Sequence, residues 1–167
     1  FKGTVMHTAK WDHSYNPVGK RIAVVGTGAS AIQLIPELVK SAEHIDYYQR
    51  TAPWVMPKPD RALTTFEQKL FKIAPVFQKL TRWRLYWQLE FRAIAFIIQP
   101  KLMHLVALEG KNAIKKSIKD PILRDKLTPK YLPGCKRILI SNNYYPALAQ
   151  PNISLVTEGI DRITPTG

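Results

Sequence analysis

Arg21-Ile-Ala-Val-Val-Gly-Thr-Gly-Ala-Ser-Ala31, leading into Ile32-Gln-Leu-Ile-Pro-Glu-Leu-Val39, decides how the rest of the sequence is read. Ile22 to Val25 is a short apolar run rich in β-branched residues, which suits a parallel strand buried on both faces. It enters Gly26-x-Gly28-x-x-Ala31, the spacing with which a strand–turn–helix unit receives a dinucleotide. Gly26 permits the tight turn out of the strand, and Gly28 lets backbone approach a pyrophosphate. Ala31 is small enough for close helix–strand packing. The free N–H groups of Thr27 to Ala31 then face the phosphates at the positive end of the helix dipole. Gly26, Thr27, Gly28, Ala29, Ser30, Ala31 and Gln33 are the candidate cofactor-binding residues of this stretch. Pro36 inside the helix predicts a kink and not a break.

Outward from the loop, His44-Ile-Asp-Tyr-Tyr-Gln-Arg-Thr51 reads as the second strand. Its end should meet the adenosine ribose, where a carboxylate selects NAD and an arginine accommodates the 2′-phosphate of NADP. The chain offers Gln49-Arg50-Thr51, and Asp46 falls too early, as a solvated strand position, so NADP is favoured over NAD. Ala52 to Asp60, with three prolines, reads as a linker out of the sheet. Strand character returns at Gly134 to Ser141, followed by a short helix, Asn143 to Ala149, and a strand, Ile153 to Val156.

Between them lies a helical block. Phe66, Leu70, Ile73, Phe77, Leu80, Trp87, Phe91, Ile94 and Ile98 alternate steps of four and three, with Arg84 in the one gap, an amphipathic stripe interrupted near Pro75 and ended by Pro100. Its aromatics follow the helix period and read as core; Trp83 and Tyr86 fall beside it. A second helical stretch carries Leu102, Leu105, Val106, Ala113, Ile114 and Ile118, with a break expected at Gly110. Asp120 to Leu127 forms a short helix with Pro121 in its first turn. The fold class expected is α/β: a Rossmann-like dinucleotide-binding domain with a parallel sheet, 21–54 and 131–167, interrupted by a helical insertion, 55–130, between its second and third strands. Residues 1–20 precede it as a linker.

The 167 residues suffice for one domain with a substantial core, and 13 prolines imply frequent breaks between elements. A net charge of +13 raises nucleic acid, anionic membrane and phosphate-bearing ligands as partners. The cations are spread along helices without alternating with exposed aromatics, which favours a solvated face over a nucleic-acid groove. A non-enzymatic basic module binding nucleic acid remains the distant alternative. The single Cys135 excludes an internal disulfide framework and fits a reducing, cytoplasmic compartment. The apolar run Ala93 to Ile98 is too short to span a bilayer, so no integral membrane segment is expected. His7, His13, His44 and His104 are too dispersed for a metal site, and His7 reads as a hydrogen-bonded structural residue. Both ends read as cut, the chain opening on Phe1-Lys-Gly3 and closing on Ile160 to Gly167, as in a fragment of a longer protein.

Phe1-x-Gly3-x-x-x-His7-x-x-x-Trp11-Asp12 matches, at every fixed position, the fingerprint of Baeyer–Villiger monooxygenases, and it precedes a Gly-x-Gly-x-x-Ala loop as in that family. Gln49-Arg50-Thr51 and Lys136-Arg137 followed by Asn143-Tyr-Tyr also resemble family segments, so the likeness covers essentially the whole chain. Related flavin-dependent N-hydroxylating enzymes usually carry Tyr or Phe where Trp11 stands, so Trp11-Asp12 favours this branch; N- or S-oxygenating flavin monooxygenases are the nearer alternative. The resemblance implies an enzyme holding FAD and NADPH, which inserts one oxygen from O2 beside a ketone carbonyl through a C4a-peroxyflavin, or oxidises a sulfide. By the same resemblance, the Gly26–Ala31 loop would hold the pyrophosphate, and Arg50, Thr51 and Lys136 the 2′-phosphate. Arg137 would reach the flavin edge as the catalytic residue. The family's FAD segments are absent, so the chain resembles the NADPH-binding portion alone. It is expected to be inactive by itself and to present an apolar face, involving Trp54 and the helical block, to the FAD domain.

Overall fold

The computed structural model describes all residues except Pro59, Ile98 and Gln99, and the side chains outside 92–100. It is a mixed α/β structure with two parallel sheets. The apolar run becomes strand β1 (Arg21–Val25), followed by helix α1 (Ala29–Leu38) and strand β2 (His44–Tyr48). Strand β5 (Ile153–Val156) completes a three-stranded sheet of order β1-β2-β5. Val25 pairs with Tyr48 and Tyr48 with Val156, so the three strands end together at one edge. Strand alternation turns Ile22, Val24, Ile45 and Tyr47 toward the core, where they meet Ile32 and Ile35 of α1. The same core takes in Tyr144, Tyr145, Ala147 and Leu148 of helix α6 (Tyr144–Leu148). Asn152 fastens the start of β5 to the end of α1 by donating to the Val39 and Ala42 carbonyls at 2.9 and 3.0 Å. Helix α1 runs unbroken through Pro36.

The expectation that β1 is buried on both faces is corrected. Arg21, Ala23 and Val25 are exposed, Val25 by 68%, because the described helices pack on the other side of the sheet. On this open side Asp46 lies 3.9 Å from Arg21 and 3.4 Å from His44, as suits a solvated strand position.

The linker expected at Ala52 to Asp60 contains strand β3 (Val55–Met56), which pairs in parallel with β4 (Leu139–Ile140) in a second sheet. The Trp54 and Met56 carbonyls accept from Leu139 and Ser141 at 2.8 and 3.0 Å. The strand expected over Gly134 to Ser141 is therefore shorter and belongs to this separate pair, its first residues being spent on a turn with Gly134 at φ +97°. The helices consequently run from β3 to β4, not between the second and third strands of one sheet.

Among the described residues four α-helices fill that interval: α2 (Thr65–Ile73), α3 (Pro75–Ile97), α4 (Met103–Ser117) and α5 (Pro121–Leu127). Thr64 and Glu67 form a capping box at the start of α2, and Asp120 caps α5 ahead of its first-turn proline. The break expected at Gly110 does not occur; α4 passes through it, because Gly110 is where the helix lies against the buried Trp54 ring. The face α4 buries is Met103, Ala107, Gly110 and Ile114, continuing to Ile118, while Leu102 and Leu105 are exposed. The core reading of the α2–α3 stripe is also corrected. Phe66, Ile73, Phe77, Leu80, Trp87 and Phe91 are exposed, and so are Trp83 and Tyr86 beside them. Ile94 and Ile98 of that stripe, with the run Ala93 to Ile98, lie outside the described side chains. Periodicity establishes a shared face; it does not say what covers it. Among the described residues no helix is long and apolar enough to cross a membrane.

Candidate dinucleotide site

The C-terminal edge of the three-stranded sheet opens into a cleft of about 640 Å³. Its floor is the glycine loop. Gly26 has φ +105°, a conformation that favours glycine, and its N–H donates to the Tyr48 carbonyl at 3.1 Å. Gly28 stands at the N-cap of α1 with no side-chain cap, which leaves the first-turn amides without a side-chain acceptor. A Cβ added at Gly26 or Gly28 would meet nothing within 4 Å. The protein's own packing therefore does not demand glycine at Gly28; the open space in front of it does, if something is to approach the backbone. Thr27 hydroxyl donates to the Thr51 carbonyl at 3.1 Å and ties the loop to the chain leaving β2.

Cations reach this space from two directions. Alternation along β2 turns Tyr47 and Gln49 inward and leaves Arg50 exposed at the cleft wall. Lys136 and Arg137 arrive from the turn that precedes β4. The lining residues include three cations, Arg50, Lys136 and Arg137, and one carboxylate, Glu158. That carboxylate is held below the usual range by backbone N–H groups at Glu158 and Thr157 and by the charge of Lys126. The remaining positive potential suits an anion.

Of the residues anticipated from sequence, Gly26, Thr27, Gly28, Ala29, Arg50, Thr51, Lys136 and Arg137 line the cleft. Ser30 and Gln33 are exposed on α1 outside its wall, and Ala31 is buried in the core, where its small side chain seats the helix on the sheet. The wall also includes residues not anticipated. Thr157 to Ile160 follow β5 and were findable, since parallel strands deliver all their C-terminal ends to one edge. Gln49 donates from Nε2 to the Lys126 carbonyl at 2.9 Å and fastens the end of α5 to the sheet. Tyr131 carries no sequence signal; its ring lies 5.1 Å from the Lys136 ammonium.

A smaller hollow of about 280 Å³ lies between α2 and α3, lined mainly by Leu70, Phe71, Phe77 and Leu80, away from this chemistry. His7 accepts from the Ala9 N–H at 3.1 Å and caps a short turn, the structural role expected of it. No grouping of potential metal ligands exists among the described residues.

The model of the flavin-binding monooxygenase-like family matches residues 1–142. The chain belongs to that family. A protein of Pseudomonas aeruginosa named Baeyer–Villiger monooxygenase is 52% identical over 167 residues, which are all of this chain and 32% of that protein. The polycyclic ketone monooxygenase of Thermothelomyces thermophila superposes with a TM-score of 0.80 at 26% identity, over 100% of this chain and 35% of its own. An oxidised steroid monooxygenase bound to NADP shares the fold, with a TM-score of 0.74 at 24% identity over 93% of this chain and 36% of its own. The chain thus spans about a third of the length of the proteins it resembles.

Proposed function

We propose that the chain is the NADPH-binding portion of an FAD-dependent Baeyer–Villiger monooxygenase. The observation that carries this reading is the convergence of an uncapped glycine loop and three cations on one cleft. Backbone amides at Gly26 to Ala31 would bind the pyrophosphate, and Arg50, Thr51 and Lys136 a terminal 2′-phosphate. The open space before Gly28, where an added Cβ would meet nothing within 4 Å, supports close approach of a phosphate to the backbone. Arg137, at the same cleft, would present its fixed charge to the flavin edge. When bound, NADPH supplies a hydride, and FAD the centre at which O2 is activated to oxidise a ketone or sulfide.

In this reading residues 21–54 and 131–167 form a Rossmann-like domain, the segment 55–130 is an insertion within it that opens on β3 and continues in the helices, and residues 1–20 link it to the FAD-binding part. The exposed apolar face of α2 and α3 supports docking of that part. Trp54 does not contribute to such a face, being only 2% exposed.

The test is a paired titration with NADP+ and NAD+ on the wild-type chain and on Arg50→Ala. Removing a charged phosphate contact should cost NADP+ about 1.5–3 kcal/mol and leave NAD+ nearly unaffected. Equal affinity of the wild-type chain for both nucleotides would refute the NADP assignment. A substrate panel on the FAD-containing protein distinguishes ketone from nitrogen or sulfur oxidation.

A further inference from the structure

Lys136 is an exposed residue on a turn, and a lysine so placed ordinarily samples many rotamers, which an anion must freeze on binding. Here its ammonium sits 5.1 Å from the centroid of the Tyr131 ring, within the range of a cation–π contact. The backbone that carries this ring is held from behind. The Tyr131 carbonyl accepts the Trp54 indole N–H at 2.7 Å, and Trp54 lies against α4 at Gly110, where a Cβ would come within 2.8 Å of the indole. Both Tyr131 and Lys136 line the cleft together with Arg50.

We infer that Tyr131 is a positioning residue for nucleotide selection: its ring holds the Lys136 ammonium at the cleft wall, ready for a ligand that carries a terminal phosphate monoester. The inference rests on the reading of the cleft as an NADP(H) site. It gives the helical segment a part in cofactor choice, because α4 seats Trp54, Trp54 anchors Tyr131, and Tyr131 places the lysine. A ring without a hydroxyl serves equally well, since the attraction comes from the π face. The effect is confined to ligands bearing the extra phosphate; NAD+ has nothing for Lys136 to meet.

The experiment compares the NADP+ to NAD+ affinity ratio of the 167-residue chain in wild type, Tyr131→Phe, Tyr131→Leu and Lys136→Met, and in the Leu/Met double variant. Tyr131→Phe should keep the wild-type ratio, while Tyr131→Leu should lower it about two- to five-fold, as expected for an exposed cation–π contact. In the Lys136→Met background, Tyr131→Leu should change the ratio no further. Trifluoro-phenylalanine at position 131 preserves the shape but weakens the ring quadrupole; it should lower the ratio relative to Tyr131→Phe at unchanged melting temperature. This last comparison stands even if Tyr131→Leu does not fold. Loss of NAD+ and NADP+ binding in equal measure would show a structural residue only and overturn the inference. If Lys136→Met abolishes the preference while Tyr131→Leu and the fluorinated variant retain it, the inference fails and the NADP reading survives. A wild-type chain without NADP+ preference would overturn both.

Discussion

A methyl group added at Gly110 would lie 2.8 Å from Cε3 and Cζ3 of Trp54 and 3.3 Å from the Met56 sulfur. Trp54 is buried and its indole N–H is committed to the Tyr131 carbonyl at 2.7 Å, so the ring yields only by breaking that bond or moving β3. Overpacking of this kind costs about 1–3 kcal/mol, against which alanine recovers about 1 kcal/mol of helix propensity. Loss of the indole hydrogen bond adds about 1 kcal/mol more. Gly110→Ala should therefore destabilise the chain by about 1–3 kcal/mol, lowering Tm by about 2–4 °C per kcal/mol at this size. Urea unfolding followed by tryptophan fluorescence and far-UV circular dichroism measures it, with the midpoint shifted and the m value unchanged. Gly28→Ala is the contrasting case. Its φ is −81° and nothing stands within 4 Å of the new carbon, so stability should hold within about 0.5 kcal/mol while NADP+ affinity falls. An unchanged or raised midpoint for Gly110→Ala would refute the reasoning and restore Gly110 as a point where the helix is free to yield.

Tyr47 and Tyr144 share a buried hydrogen bond, hydroxyl to hydroxyl at 3.1 Å, with the rings edge to face. Tyr47→Phe leaves the Tyr144 hydroxyl without that partner and should cost about 1–3 kcal/mol, whereas the double Phe variant should cost less than the sum of the singles; strict additivity would argue against the pair. Glu67 is held down to about 2 by its hydrogen bonds to Arg61, then by the Thr64 backbone N–H. A folded pKa below the ordinary 4.5 means that the unfolded chain binds the proton more readily. The contribution of Glu67 is therefore complete above about 4.5 and is lost as pH falls toward about 2. Helicity lost over that window in wild type should be smaller in Glu67→Gln, as circular dichroism would report.

Local signals were legible where they are self-sufficient. Asp120 followed by Pro121 sets the start of α5, because cap and proline act on adjacent backbone groups, and β5 has the extent its β-branched run implies. Strand β3 was not legible. Val55 and Met56 stand between Pro53 and Pro57, too short for any period, and they are a strand only because Leu139 and Ile140 arrive from far along the chain. Gly110 misled for a related reason: glycine breaks a helix or admits a neighbour, and the neighbour, Trp54, belongs to a different part of the sequence. At the site, the glycine loop and Arg50 could be read directly. Lys136 and Arg137 entered through resemblance, since nothing in their own spacing points to the sheet edge. Tyr131 needed coordinates, because a ring beneath an ammonium has no sequence pattern.

The α3 stripe separates the two kinds of knowledge most sharply, and it can be tested. Trp87 of the stripe meets two rings beside it edge to face, Trp83 with centroids 6.0 Å apart and Tyr86 at 5.7 Å, yet Trp83 is 64% exposed. A core tryptophan truncated to alanine costs about 3–5 kcal/mol, while an exposed one loses little beyond its stacking partner, about 0.5–1.5 kcal/mol. Trp83→Ala in this chain should fall in the lower range by urea unfolding. A loss above about 3 kcal/mol would mean that Trp83, packed against Trp87 of the stripe, lies in a core after all. If the FAD-binding part docks on this face, the same substitution should cost more in the longer protein than in the chain alone. The difference between the two measurements then reports the burial that docking adds at Trp83.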